Sequence, residues 1–153
     1  MSLTTTGKTY SFLDVTATII GPGLSAQLAN EAGAAEEGIS IEPEGQKDTL
    51  TVGADGSWMH SLRAANPGTV TIRLLKTSNV NNTLSVAYNA QRVSSIGWGK
   101  NTIMIKQHAS GDVITCMGAA FENPPQIEYA TVGNVMVWKF LVGRIIPILG
   151  EYP

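Results

Sequence analysis

From Val132 to Leu149 the chain is rich in Val, Ile, Phe and Trp, which favour an extended, pleated backbone. A half-buried strand alternates apolar and polar side chains. Here Met136, Trp138, Phe140 and Val142 fall on one face, and Val135, Val137 and Leu141 fall on the other. Both faces are apolar. In a small antiparallel protein one of them would normally meet water. The second face therefore needs a cover, either a second layer of the same domain or another copy of the chain. The sequence is read here as giving that strand a subunit interface.

The chain has 153 residues, enough for one domain with a core that needs no staples. Charged residues make up 14%, well below the usual quarter, so little charge is left to solvate a free monomer. Ten basic against twelve acidic residues give a net charge of −2 and no basic patch. Tight binding to nucleic-acid phosphates is not expected. The single cysteine, Cys116, excludes an internal disulfide and lies in the apolar run DVITCMGAAF, as a buried inert thiol would. This usage fits a reducing cytoplasm. The N-terminus, MSLTTTGKTYSF, lacks the pattern of a secretory signal. Asn134, Lys139, Arg144 and Pro147 interrupt the C-terminal run, so no membrane insertion is expected.

The local signals give a mainly β chain with one helix. Residues 1–8 are small and polar and read as an arm. Tyr10 to Gly21 reads as a strand with a bulge near Leu13, and Gly21-Pro22-Gly23 as a turn into a strand at Leu24–Ala29. Residues 30–38 read as a loop or one helical turn, and Ile39 to Glu42 as a short strand. Asp55-Gly56 is a hairpin signal, with Leu50, Val52 and Ala54 alternating with Thr49 and Thr51 before it, and Ser57–Arg63 returning. Residues 43–60 are thus a projecting hairpin. Thr69 to Leu75 points Val70, Ile72 and Leu74 inward and Thr69, Thr71 and Arg73 outward. Residues 79–95 hold the only helix, Asn79 to Ser94, capped by Asn79 or Asn81, with Val80, Leu84, Ala87 and Tyr88 as its apolar stripe. Strands at Thr102–Gln107, Val113–Phe121, Ile127–Tyr129 and the closing run complete the order. The expected fold is a β-sandwich or barrel with a flanking helix.

Chemistry is nearly absent. His60 and His108 sit in different turns or strand ends, and neither has a second ligand at metal spacing, so no metal site and no cofactor is expected. Asp112 near His108 is explained as a turn aspartate. Gly97-Trp98-Gly99-Lys100 lacks the strand-then-helix context of a phosphate loop. No nucleophile–base pair is visible, and no enzyme is expected. Trp58, on the hairpin, is either a local clasp or an interface anchor.

The segments KTYSFLDVTATIIGPG, AAEEGISIEP, DGSWMHSLRAANPGTVTIRLLKTS and PPQIEYATVGNVMVWKFLVGRI, in this order around the helix, resemble the tail tube proteins of tailed bacteriophages over essentially the whole chain. The resemblance extends to contractile bacteriocin and type VI secretion tubes. It implies a phage tail tube-like fold, in which six copies form a ring whose inner sheets join around a lumen, and rings stack through the hairpin and terminal arms. It makes residues 1–12 an arm toward a neighbour and 43–60 the stacking hairpin. The interface residues it suggests are Trp58, Met59, Val137, Trp138 and Phe140. The candidate lumen residues are Thr16, Thr18, Thr49, Thr51, Thr69, Thr71 and Arg73; a hydroxyl-rich lumen with few cations would let DNA slide.

The implied function is a structural subunit of a virion tail, built in the host cytoplasm. Its expected partners are itself, a contractile sheath, baseplate and tail terminator proteins, a tape measure protein in the lumen, and DNA in non-specific transit. The alternatives are the tube of a bacteriocin or secretion-type injection machine, or a monomeric β-rich module that stacks glycans on Trp58 or Trp98.

Overall fold

A computed structural model describes residues 7–29 and 34–153. A short 3-10 turn, Phe12–Asp14, precedes β1 (Val15–Gly21), β2 (Leu24–Ala29), β3 (Ala34–Pro43), β4 (Asp48–Val52), β5 (Trp58–Leu62) and β6 (Gly68–Leu75). The helix α1 (Val80–Gln91) follows, then β7 (Asn101–Gln107), β8 (Asp112–Asn123) and β9 (Val135–Ile148). Seven strands form one curled antiparallel sheet in the order β2-β1-β7-β8-β9-β6-β3, while β4 and β5 pair only with each other.

The inner face of the sheet carries the core. Alternation along β6 puts Val70, Ile72 and Leu74 inside, and β9 adds Trp138, Phe140, Val142 and Ile145. Phe121 on β8 is the hub of the aromatic packing, with ring centroids 4.7 Å from Phe140, 5.5 Å from Tyr88 and 5.9 Å from Trp138. Each of these large side chains contributes about 1.5–3 kcal/mol by leaving water. The helix lays Leu84 and Ala87 on the same core.

Two polar links fix the helix. Asn81 accepts from the Trp138 indole N–H through Oδ1 at 3.0 Å and donates through Nδ2 to the Leu75 carbonyl at 2.9 Å. At the other end, the buried side chains of Gln91 and Asn101 exchange amide hydrogen bonds of 2.8 and 2.9 Å. Asn101 also donates to the Ala119 carbonyl at 3.1 Å. No buried side-chain nitrogen or oxygen among the described residues lacks a partner.

Several sequence expectations need correction. The slip near Leu13 is the 3-10 turn, with the Ser11 hydroxyl accepting from the Leu13 N–H. The register break in β1 lies further on, between Ala17 and Thr18. Strand β3 starts at Ala34, so all of the described part of the expected 30–38 loop, residues 34–38, is strand; residues 30–33 lie outside the described set, as do residues 1–6 of the expected arm. Ile127–Tyr129 is not a strand. Asn79 holds the N-cap position without a side-chain cap; the Ser78 hydroxyl accepts from the Val80 N–H instead. Residues preceding a helix often share this task among several small polar side chains.

Cys116 is fully buried on β8, and burial pushes its thiol up to about 11. The thiolate is the reactive form. Native protein at pH 8 is therefore expected to resist maleimide labelling, with labelling appearing only on addition of denaturant. The same shift makes folded Cys116 neutral where an unfolded thiol ionises. Its contribution is present below about pH 8.5 and is lost as pH climbs toward 11.

Candidate assembly surfaces

The hairpin β4–β5 arises because Asp55-Gly56 closes two alternating strands. Gly56 adopts φ +89°, which a side chain would resist. The Asp55 carboxylate accepts from the Ser57 hydroxyl at 2.6 Å and from the Ser57 N–H at 3.0 Å. Those bonds, the hydroxyl first, hold its pKa below the usual carboxylate range. The tip is thus a fixed anion. Behind it, Val52 pairs with Trp58, Thr51 with Met59 and Leu50 with His60. His60 also bonds Asp48, Nδ1 to Oδ2, at 2.7 Å. Every residue of β4 and β5 is exposed. Trp58 is 71% exposed, and its strand partner is Val52. An isolated two-stranded hairpin is marginal in water, and this one leaves the apolar side chains of Leu50, Val52, Trp58, Met59 and Leu62 exposed.

The closing strand β9 answers the question its two apolar faces pose. Trp138 is 2% exposed and Phe140 fully buried. Both belong to this chain's own core, so neither is free to meet a neighbour as the sequence reading supposed. The opposite face is bare: Val135, Val137 and Leu141 are exposed, with Leu75 beside Val135. Val137 is the interface candidate on β9 that a neighbour can reach.

The hydroxyl-bearing candidates divide into three places. Thr69, Thr71 and Arg73 lie on the outer face of β6, where they pair with Leu141, Lys139 and Val137. Thr69 donates to Glu44 Oε1 at 2.9 Å, and Arg73 donates to the Ser40 hydroxyl at 3.1 Å. Thr16 and Thr18 lie on the outer face of β1, across from Lys106 and Met104, and Thr16 bonds His108 Nε2 at 3.0 Å. Thr49 and Thr51 ride on the hairpin, outside the main sheet. Sequence reasoning treated lumen and interface as separate surfaces. The register makes Arg73 and Val137 neighbours on one face.

The remaining chemical suspects resolve as structure. Asp112 accepts from the Gly150 N–H at 2.7 Å, anchoring the C-terminal segment rather than pairing with His108. Gly97 to Lys100 lies in the connection from helix to strand, opposite to the order a phosphate loop needs. Trp98 leans on Tyr88 and Phe121, with centroids 6.3 and 6.5 Å away. Among the described residues no group of three or more His, Cys, Asp or Glu is placed to hold a metal. No helix among them is long and apolar enough to cross a membrane.

The fold is shared with solved assemblies. A chain from the tube-terminating cap of the anti-feeding prophage aligns with a TM-score of 0.58 at 10% identity, covering 97% of each chain. A chain from the six-fold symmetrised baseplate of the anti-feeding prophage aligns with a TM-score of 0.51 at 12% identity, again over 97% of each. At such identities the likeness speaks for the fold alone. No curated protein matches the sequence. The sequence does match the bacteriophage PhiTE tail tube protein family over residues 7–150, and with nearly its whole length inside that match the chain belongs to this family of structural tail tube proteins, which is not a family of enzymes.

Proposed function

We propose that six copies of this chain close into a ring and that the rings stack into the tail tube through which DNA leaves the virion. One observation carries this reading. The body buries a full core of its own, yet it leaves a hairpin with no buried residue and a bare apolar face on β9. A free monomer gains nothing from either surface. Heterologous contacts that close by rotation within a ring and repeat between rings would cover both. The edge strands β2 and β3 would likewise find partners in a ring, which removes an aggregation hazard. One structural relative comes from a six-fold symmetrised baseplate, and the same order is proposed here.

Thr69 and Thr71 on the outer face of β6 are the proposed lumen lining, and Arg73, across from Val137, marks where that lining meets the inter-ring contact. Thr16 and Thr18 lie four strands away on a curled sheet, where the outward direction has turned, so one lumen would not take both sets. Hydroxyls suit the task because they hydrate the wall without holding phosphates by counterion release. In the virion the tube would carry a tape measure protein before DNA, join a baseplate and a terminator at its ends, and sit inside a contractile sheath. Assembly would take place in the host cytoplasm. A virion image with a bare, flexible tail would remove the sheath from this account.

Negative-stain electron microscopy of the purified chain, over a concentration series and with baseplate seeds, tests the core claim. Rings or hollow tubes of uniform width are expected. Monodisperse monomer throughout, seeds included, would overturn it. In the same assay Trp58→Ala is expected to lower tube yield about tenfold or more, as loss of an interface anchor does. Its thermal melt should move little, since Trp58 touches no core. Unchanged tube yield from the soluble variant would count against the hairpin as a stacking element.

A further inference from the structure

The hairpin and a groove in the same chain lie at opposite ends of β6. Strand β3 ends at Pro43 and β6 begins at Gly68, paired with it, so the hairpin between them leaves the sheet at that end. Strand β6 runs to Leu75, paired with Val135. That is seven steps, about 24 Å of strand. At this far end the long connection from β8 to β9 folds back and encloses a groove of about 400 Å³. Its lining includes Pro124, Pro125, Gln126, Val135, Val137 and Lys139. Lys76, also in the lining, holds the connection in place, donating to the Glu128 carbonyl and lying 4.1 Å over the Tyr129 ring.

The two ends are complementary. The hairpin tip presents the fixed Asp55 carboxylate, whose Oδ1 is used by Ser57, beside the bare Val52 and Trp58 side chains. The groove presents two ammonium groups, Lys76 and Lys139, against the single carboxylate of Glu128, on walls of proline and valine. A surface of one end that fits the other end of the same molecule generates a head-to-tail chain of copies.

We propose that the groove between the 124–134 connection and β9 is the receptor for the hairpin tip of a second copy in the next ring, with Asp55 set against Lys139. This inference rests on the tube reading and names the surface that the hairpin meets. It also explains why Val137, which lines the groove, is bare in the single chain.

A crosslink tests it. The exposed Ala54 and Gln126 are replaced, Ala54→Cys and Gln126→Cys, in one chain and in two separate chains. The native thiol is buried and adds little background. Oxidised tubes of the double variant are expected to give a covalent ladder on a non-reducing gel. A mixture of the two single variants is expected to give dimers, and each alone only monomer. Well-formed tubes with no ladder would overturn the inference and leave the tube reading standing. A chain that never assembles, even from seeds, would overturn both. As a second readout, Lys139→Glu should raise the concentration needed for assembly about tenfold, and adding Asp55→Lys should restore it. A double variant as poor as Lys139→Glu alone would break the proposed pairing.

Discussion

Phe140→Asp is expected to leave no folded protein, while Val137→Asp folds and fails to assemble. The two positions are three residues apart on β9 and differ in the face they occupy. Phe140 is fully buried, 4.7 Å from the Phe121 ring by centroid. Removing its ring alone costs about 3–5 kcal/mol. An unpaired carboxylate in that place adds several more. The sum is comparable with the whole stability of a domain, about 5–15 kcal/mol. Val137 is 36% exposed and pairs with Arg73 across the ladder, so an aspartate there can stay hydrated beside a guanidinium. Circular dichroism melts should show a native transition for Val137→Asp and none for Phe140→Asp. Electron microscopy of Val137→Asp should show monomers where the parent forms tubes. If both variants lost their fold, the outer face of β9 would be covered within the chain. If Val137→Asp assembled normally, that face would be no contact.

The second large effect falls on the helix. Asn101→Leu is expected to lower stability by about 3 kcal/mol, although leucine is apolar and near in size. The loss comes from what remains: the Gln91 side-chain oxygen and the Ala119 carbonyl lose the Asn101 donor, and the Gln91 nitrogen keeps only a long bond to the Pro22 carbonyl at 3.4 Å. Each orphaned buried group costs about 1–3 kcal/mol. For a chain of this length that is roughly a 10 °C fall in Tm. Adding Gln91→Leu should restore much of it, because removing both partners of a buried pair is far less costly than removing one. A differential scanning calorimetry cycle over the four proteins measures the coupling. Additive losses would show that the pair does not act as a unit.

The contrast between these residues says what the sequence made legible. The hairpin was readable because Asp55-Gly56 and the alternation around it are local signals, and β4, β5 and β6 fall where those signals put them. The helix was readable from Val80, Leu84, Ala87 and Tyr88. That β9 is apolar on both sides was plain, but period-two alternation does not say which side is inward. That choice is made by Phe121 and Val70, which are distant in sequence and meet Phe140 only in the sheet. The early start of β3 was hidden because Ala34-Ala35-Glu36-Glu37 has little strand propensity of its own; its strand is held from the two sides of a register break, by Ala34 across from Leu74 and by Ile39 to Pro43 along β6. The amide exchange between Gln91 and Asn101 left no trace, since nothing in two uncharged side chains ten positions apart announces a mutual bond. The groove was missed for a similar reason. Its connection carries Pro124-Pro125, which reads as a turn, and only the fold brings that turn over Val135 and Val137.

The exposure of every residue in β4 and β5 bears on when tubes form. A two-stranded ribbon without a third strand or a packed face is only marginally stable in water. Two free subunits that meet must each order a ribbon before either is held. A subunit that meets an existing end orders only one, against a surface already set. If the tube reading holds, the first event is expected to be slow and the later ones fast, giving a lag followed by growth from a seed. Such an arm would keep a concentrated pool of subunits quiet until a template is present, and tube initiation would then be decided by the place where the template stands.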